Sequence, residues 1–239
     1  MTLRPNKQRS KNAIIMIWLV MVFYIFATVL QVLETIYYHD IDIYLSEDIG
    51  DVDYYTFSLL YLFFSFGYTI VYIISAVTFI QWFRRAYFNL HQKIGSLSYT
   101  EGWASGGWFI PIMNLFVPYR IMKELYLRTD DLLNENEGES VSYSRPDLSM
   151  VKIWWTLWII TGIIEGVSFR IYRFDETDIA STYLDVVACV LTIPLAIVTV
   201  NVIRKYSEYE SELMKIDFED NTFSEENSNN LLDIDENSL

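Results

Sequence analysis

Three ionisable residues lie in otherwise apolar stretches of the 239-residue sequence: Glu165, Arg170 and Asp185. A charged side chain in a bilayer costs free energy, so each is a default candidate for a functional role. Arg170 and Asp185 fall at similar estimated depths, and we expect an ion pair between helices. Glu165 has no obvious partner at its depth. We predict that it is either protonated and hydrogen-bonded to Thr161 or Thr28, or part of a proton or cation path.

A second group of candidates combines aromatic, basic and amide side chains. Tryptophan rings favour the headgroup region of a bilayer, arginines bind anionic headgroups, and amides can satisfy broken backbone. One hypothesis is a lipid or small-molecule site, and the simpler interpretation is a structural collar at the membrane surface. The residues concerned are Trp82, Arg84, Arg85, Asn89, Trp103, Trp108, Asn114 and Glu124.

Common catalytic and metal-binding motifs are absent from the sequence. It contains no HExxH, Walker A loop, GxGxxG or GxSxG pattern, so we assign no catalytic residue, cofactor or metal. The single cysteine, Cys189, excludes an intramolecular disulfide and a cysteine-rich metal site. The net charge of -14 argues against nucleic-acid binding, because phosphate contacts need clustered lysine and arginine.

Four apolar segments are long enough to hold these residues in a bilayer, since a spanning helix needs about 20 apolar residues. We predict an all-α integral membrane fold: a four-helix transmembrane bundle with a re-entrant or interfacial cytoplasmic segment between helices two and three. A basic N-terminus, residues 1–12, precedes a membrane domain over 13–206. The first apolar run is too long for a secretory signal and is interpreted as an uncleaved span. The four spans are 13–33, 57–83, 151–172 and 182–203.

The basic residues indicate the orientation of these spans. Four Lys or Arg precede the first span and none lies between the first and second. Eight lie between the second and third when Lys152, at the start of the third span, is counted with them. Two, Arg170 and Arg173, lie at the end of the third span or just after it, and three follow the fourth. Lysine and arginine accumulate in short cytoplasmic loops. The pattern therefore predicts that both termini are cytoplasmic.

The uncharged segment 102–119 is not predicted to cross the bilayer. Its glycines and prolines weaken a helix, and basic residues flank it on both sides. We expect a re-entrant or interfacial element over 102–133, with structural roles for Gly102, Pro111 and Pro118. Pro118 begins an amphipathic helix predicted to lie at the membrane surface. The acidic tail, 207–239, is predicted to be disordered and is a candidate contact for a protein partner.

Two spaced motifs lie between residues 79 and 130: W-x-x-R-A-x-x-N beginning at Trp82, and GWA-x-GGWF-x-P-x-x-N-L-x-x-P beginning at Gly102. With these motifs the sequence resembles a bacterial membrane family known only as domain of unknown function 4328. It departs from the family at Glu101, where proline is usual, and at Tyr126, where tryptophan is frequent. The resemblance implies a multi-pass protein of the bacterial cytoplasmic (inner) membrane. Its domain would run from about the second span to the fourth, with the first usually included, and no activity is implied.

These observations favour a non-enzymatic membrane scaffold or interaction protein whose aromatic-basic collar binds lipid or a partner. The alternative is a small transporter or channel subunit that uses Glu165, and the third hypothesis is a membrane enzyme. The expected partners are membrane lipids, with anionic headgroups as candidates for the arginines. Replacing Glu165 with glutamine should spare a scaffold and abolish transport, whereas an enzyme should need a polar cluster around Asn89 and Asn114.

Overall fold

The computed structural model describes residues 3–44, 51–137, 146–174 and 179–236, and the side chains of 3–36, 56, 58–135, 146–174 and 179–216. Within these ranges the chain is helical and contains no strand. A single 3₁₀ turn, Met113–Leu115, lies between the third and fourth helices. The helices are α1 Lys7–Tyr44, α2 Asp51–Lys93, α3 Trp103–Gly106, α4 Val117–Glu137, α5 Ser149–Phe174 and α6 Ile179–Glu236.

Four of the described helices are long and apolar enough to cross a membrane, and each corresponds to one predicted span. The prediction of an all-α fold with four helices long and apolar enough to span a membrane is confirmed for the described residues. Segment 102–119 is not among the candidate spans, because α3 has only four residues and the 3₁₀ turn only three. The candidate spans lie within Lys7–Ile36, Ser58–Lys93, Ser149–Phe174 and Ile179–Ile216.

The chain packs into two compact units, each assembled from separate stretches of sequence. We call the first the collar unit; it comprises Met1–Ser10, Gln81–Leu148 and Arg204–Leu239. We call the second the span unit; it comprises Lys11–Ile80 and Ser149–Ile203.

The span unit turns large apolar side chains outward on all four of its helices. Examples, one from each helix, are Ile15, Phe63, Ile163 and Val190, all more than half exposed. Soluble proteins rarely expose apolar patches of this extent, whereas a lipid-facing surface requires them. The outward side chains therefore match the apolar composition of the four spans.

Close contacts hold α1 against α2 inside the span unit. The rings of Tyr24 and Tyr68 stack with centroids 5.0 Å apart. A Cβ atom on Gly67 would lie 2.8 Å from Phe23 Cε1, so glycine allows the two helices to approach at this point. The absence of a side chain at Gly67 thus supports the packing of the aromatic rings around it.

The core of the collar unit joins α2, α4 and α6 through aromatic side chains. The Trp82 and Tyr206 rings meet edge to face at 6.1 Å, and the Tyr126 ring lies 5.8 Å from that of Tyr206. Ile121 and Leu125 are fully buried beside them. The predicted amphipathic helix after Pro118 is therefore present as α4. Its apolar face is covered by protein, so the prediction that this face lies on the membrane surface is wrong.

The predicted disorder from residue 207 onward is also wrong for the described part of the tail. Helix α6 continues through Glu236, and Glu210 and Leu213 are 3% and 2% exposed. Tyr206, Glu210 and Leu213 follow one another at helical spacing, so one face of α6 enters the core of the collar unit. The burial of that face stabilises a helix that the acidic composition alone argues against. The side chains from residue 217 onward lie outside the described residues.

Candidate functional site

Helix α2 brings two kinds of side chain to the collar unit. Trp82 and Asn89 lie two helical turns apart on its buried face, and each is 0% exposed. Arg84 and Arg85 project from the other side, where Arg84 is exposed and Arg85 is half-buried. The W-x-x-R-A-x-x-N motif thus combines a core-facing stripe with a basic surface.

A buried polar cluster lies at the centre of the collar unit, formed by Asn6, Asn89 and Glu210. Asn89 Nδ2 donates to Glu210 Oε1 at 2.7 Å, and Asn6 Nδ2 donates to Glu210 Oε2 at 3.0 Å. Asn89 also binds the backbone of Arg4: its Oδ1 accepts from the Arg4 N–H at 3.1 Å and its Nδ2 donates to the Arg4 carbonyl at 2.9 Å. The cluster therefore ties the N-terminal segment, α2 and α6 together.

Basic side chains surround part of this cluster. The guanidinium groups of Arg4 and Arg85 lie over the same ring, that of Phe88, at 4.7 Å and 5.6 Å from its centroid. Arg9 Nη1 donates to the Gln81 carbonyl at 3.3 Å. Arg85 experiences electrostatic repulsion from three neighbouring arginines, namely Arg4, Arg9 and Arg84. We call Arg4, Arg9, Arg84 and Arg85 the collar arginines.

The collar arginines are only partly compensated by carboxylates. Arg84 forms an ion pair with Glu101 at 3.0 Å. Among the residues whose side chains are described, Arg4 and Arg85 have no carboxylate within ion-pair distance. Glu101 and Glu210 act on Arg85 only from further away. The group therefore carries excess positive charge at a fixed place.

The loop after α2 is fastened by Glu124. Ser98 donates to Glu124 Oε1 through both its backbone N–H, at 2.9 Å, and its hydroxyl, at 2.8 Å. Tyr87 donates its hydroxyl to Glu124 Oε2 at 2.8 Å. Both carboxylate oxygens of Glu124 are thus used within the protein, which gives this residue a structural role in the loop.

The turns between α3 and α4 expose a continuous apolar edge. Phe109 and Ile112 are 75% and 71% exposed, and Phe116 is 53% exposed. Trp108 packs edge to face against Phe83 at 6.0 Å, which fixes the start of the edge. We call residues 109–116 the apolar edge; nothing in the collar unit covers its described large side chains.

The structure revises the predicted lipid-binding set. Trp82 and Asn89 are fully buried, so they cannot contact a headgroup on the surface of the collar unit. Trp103 and Trp108 are half-buried, as is Asn114. Tryptophan was assigned to the interface by residue type, but the aromatic packing around Tyr206 makes Trp82 a core residue.

The three predicted structural residues have different surroundings. Pro118 lies in the first turn of α4, where its missing N–H costs no helical hydrogen bond. Pro111 is exposed, and a Cβ atom on Gly102 would meet nothing within 4 Å. The steric requirement for glycine falls instead at Gly107, where a Cβ atom would lie 2.9 Å from Val117 Cγ1.

The predicted Arg170–Asp185 ion pair is wrong. Asp185 Oδ2 accepts from Gln31 Nε2 at 2.9 Å, and Asp185 Oδ1 lies 2.6 Å from Ser168 Oγ. Arg170 is exposed, and no ion pair links it to Asp185 within the described part of the chain. Ser168 and Arg170 are two residues apart, so they point to opposite sides of α5. The prediction compared only the estimated depths of Arg170 and Asp185 in the bilayer. It did not consider on which side of α5 the Arg170 side chain lies.

Sequence reasoning also missed Arg4, Asn6 and Glu210. Arg4 was counted only as an orientation signal, and Glu210 as one of many tail acids. The available signal was the apolar spacing of Tyr206 and Leu213, which places Glu210 on the same face of α6. No sequence signal identified Asn6.

Comparison with known proteins gives a family but no relative of known function. The model of a family described as Domain of unknown function (DUF4328) matches residues 46–208. The match contains all of α2 and the apolar part of α6, and α1 lies outside it. No curated protein and no solved structure matches the chain.

Proposed function

This chain belongs to the family described as Domain of unknown function (DUF4328), and, since that description assigns no activity, we propose a function from its own structure. The protein is a non-enzymatic membrane scaffold. Arg4 and Arg85 in its collar unit bind the phosphate group of an anionic lipid headgroup on the cytoplasmic face of the bacterial inner membrane.

The observation that carries the proposal is the pair of guanidinium groups over Phe88. Two like charges beside one ring repel each other, and neither has a carboxylate within ion-pair distance among the described side chains. An anion bound between or above the two guanidinium groups reduces the repulsion and accepts hydrogen bonds from both. Phosphate suits this geometry, because arginine binds it through two parallel hydrogen bonds.

The make-up of the collar unit supports a cytoplasmic position. Its three stretches are the ones predicted to be cytoplasmic from the basic residues, namely the N-terminus, the loop between spans two and three, and the tail. Anionic lipids give the cytoplasmic leaflet a negative surface potential, which attracts basic residues by about 1 kcal/mol each.

The exposure of the apolar edge, residues 109–116, supports a position for this segment at the membrane interface. Exposed phenylalanine and isoleucine side chains on a broken backbone are costly in water. They are stable where the headgroup region meets the acyl chains, provided that the protein covers the polar backbone. The edge is proposed to enter this region without crossing the bilayer.

Lipid retention tests the proposal. Arg4→Gln combined with Arg85→Gln should reduce co-purified anionic lipid several-fold in native mass spectrometry, while Arg84, Lys93 and Lys152 keep the orientation. The matched control is Arg128→Gln with Lys215→Gln, which removes the same charge from exposed residues that already have carboxylate partners. Equal retention of anionic lipid in both double variants would refute the binding role.

A further inference from the structure

The interior of the span unit is polar, although its outer surface is apolar. On α1, Thr28 and Gln31 follow Tyr24 at helical spacing, and on α5 Glu165 and Ser168 follow Thr161 in the same way. The contacts of these side chains place them inside: Tyr24 stacks on Tyr68 and Gln31 binds Asp185. The helices thus bring hydroxyl, amide and carboxyl groups together between the spans.

Two carboxyl groups in this interior act on each other. Glu165 and Asp185 interact electrostatically with each other, and each also interacts electrostatically with the phenols of Tyr24 and Tyr68. Among the described residues no lysine or arginine forms an ion pair with either carboxyl group. Arg170, the nearest basic residue along α5, is exposed.

An unsatisfied hydroxyl lies beside Glu165. Thr161 is 4% exposed, and its Oγ1 atom is buried without a hydrogen-bond partner in the described structure. It precedes Glu165 by four residues, so both side chains lie on one face of α5. Thr28, also 4% exposed, lies beside Cys189 and has no nitrogen or oxygen partner among the described residues. These oxygens are available to a ligand that accepts lone pairs.

We infer that the interior of the span unit binds one monovalent cation from solution, Na⁺ or a proton, at Glu165 and Asp185. Two carboxylates in a poorly solvated interior cannot both stay charged without a counter-charge, and no described lysine or arginine supplies one. Carboxylate and hydroxyl oxygens are hard ligands that suit an alkali cation. The site does not depend on the lipid function proposed for the collar arginines.

Thermal stability of the full chain in detergent distinguishes the two cations. At pH 8, replacing choline chloride with NaCl at constant ionic strength should raise the melting temperature by several degrees if Na⁺ is bound, because a ligand stabilises the state that binds it. If the ligand is a proton, the melting temperature in choline chloride should rise from pH 8 to pH 6 with no Na⁺ effect. A melting temperature that responds to neither change overturns the inference.

Variants assign the response to the site. The described titratable groups that interact electrostatically with Glu165 are Tyr24 on α1, Tyr68 and Tyr72 on α2, and Asp185 on α6. Phenols titrate above pH 8 in water, so the site variants, and not the phenols, decide whether a response between pH 6 and 8 belongs to the two carboxyl groups.

Glu165→Gln should abolish the cation response, whereas Arg170→Gln, on the exposed side of the same helix, should retain it. Asp185→Asn provides a second site variant if Glu165→Gln fails to fold. An unchanged cation response in a folded site variant contradicts the inference.

Discussion

Glu210 is the side chain on which the polar core of the collar unit depends. It is almost fully buried, and it accepts hydrogen bonds from the amide groups of Asn6 and Asn89. Burial of a polar group costs free energy unless its hydrogen bonds are made. The three side chains therefore stabilise one another as a set, and the removal of one leaves the others unsatisfied.

Glu210→Leu should destabilise the protein by roughly 2–4 kcal/mol, because the Asn6 and Asn89 donors would remain buried without an acceptor. Glu210→Gln should cost much less. Asn6 Oδ1 has no hydrogen-bond partner in the described structure, so the Asn6 amide can turn over and accept from the new Gln amide.

The melting temperature of the detergent-solubilised variants measures both effects. Glu208→Leu, at an exposed position two residues away on α6, controls for the loss of an acid. Melting temperatures that fall equally for Glu210→Leu and Glu208→Leu would contradict the role of the cluster.

Individual side chains were the part that sequence predicted least well. Residue type drew attention to Glu165 and Asp185, because ionisable groups inside apolar runs are rare. It could not give the partner of Asp185, since Gln31 lies 154 residues away along the chain. It also assigned Trp82 to the membrane interface, whereas the neighbouring Tyr206 on α6 makes it a core residue.

The turn before α4 depends on close packing of its backbone. Gly107 lies against Trp103 O and Val117 Cγ1, both 2.9 Å from where a Cβ atom would be. A backbone oxygen cannot move aside as a flexible side chain would. This contact places the apolar edge relative to α4. The position of the edge therefore depends on glycine, which has no Cβ atom, at position 107.

Gly107→Ala should therefore loosen the turn, and Gly106→Ala should not, because a Cβ atom on Gly106 would meet nothing within 4 Å. The Gly106→Ala variant should be as stable as the parent protein or slightly more so, since alanine lowers the entropy of the unfolded chain. The rate of limited proteolysis within 102–119 measures the difference. Similar cleavage rates for the two variants would show that the turn does not require glycine at 107.

Helices were predicted well where composition decides and poorly where packing decides. A run of about 20 apolar residues predicts a span without knowledge of its neighbours. The ends of α2 and α6 go beyond the predicted spans because Leu90 and Leu213 are buried in the collar unit. That burial depends on contacts between segments far apart in the sequence, which local composition cannot give.

At the scale of the whole molecule, the segments that the distribution of basic residues predicts to be cytoplasmic pack together. The N-terminus, the long middle loop and the tail form one compact unit, as segments on the same side of a membrane must be able to do. The grouping follows from their packing and not from charge, so it is an observation independent of the positive-inside pattern. Together they support the proposal that the collar unit lies in the cytoplasm.

Cysteine labelling in intact cells tests this position most directly. In a Cys189→Ser background, single cysteines at Asn136 and Ser228 report on two stretches of the collar unit, and one at Ser46 reports on the loop between the first two spans. Residue 46 should react with a membrane-impermeant maleimide, and residues 136 and 228 should react only after the cells are opened. Labelling of residue 136 or 228 in intact cells would contradict a cytoplasmic collar unit.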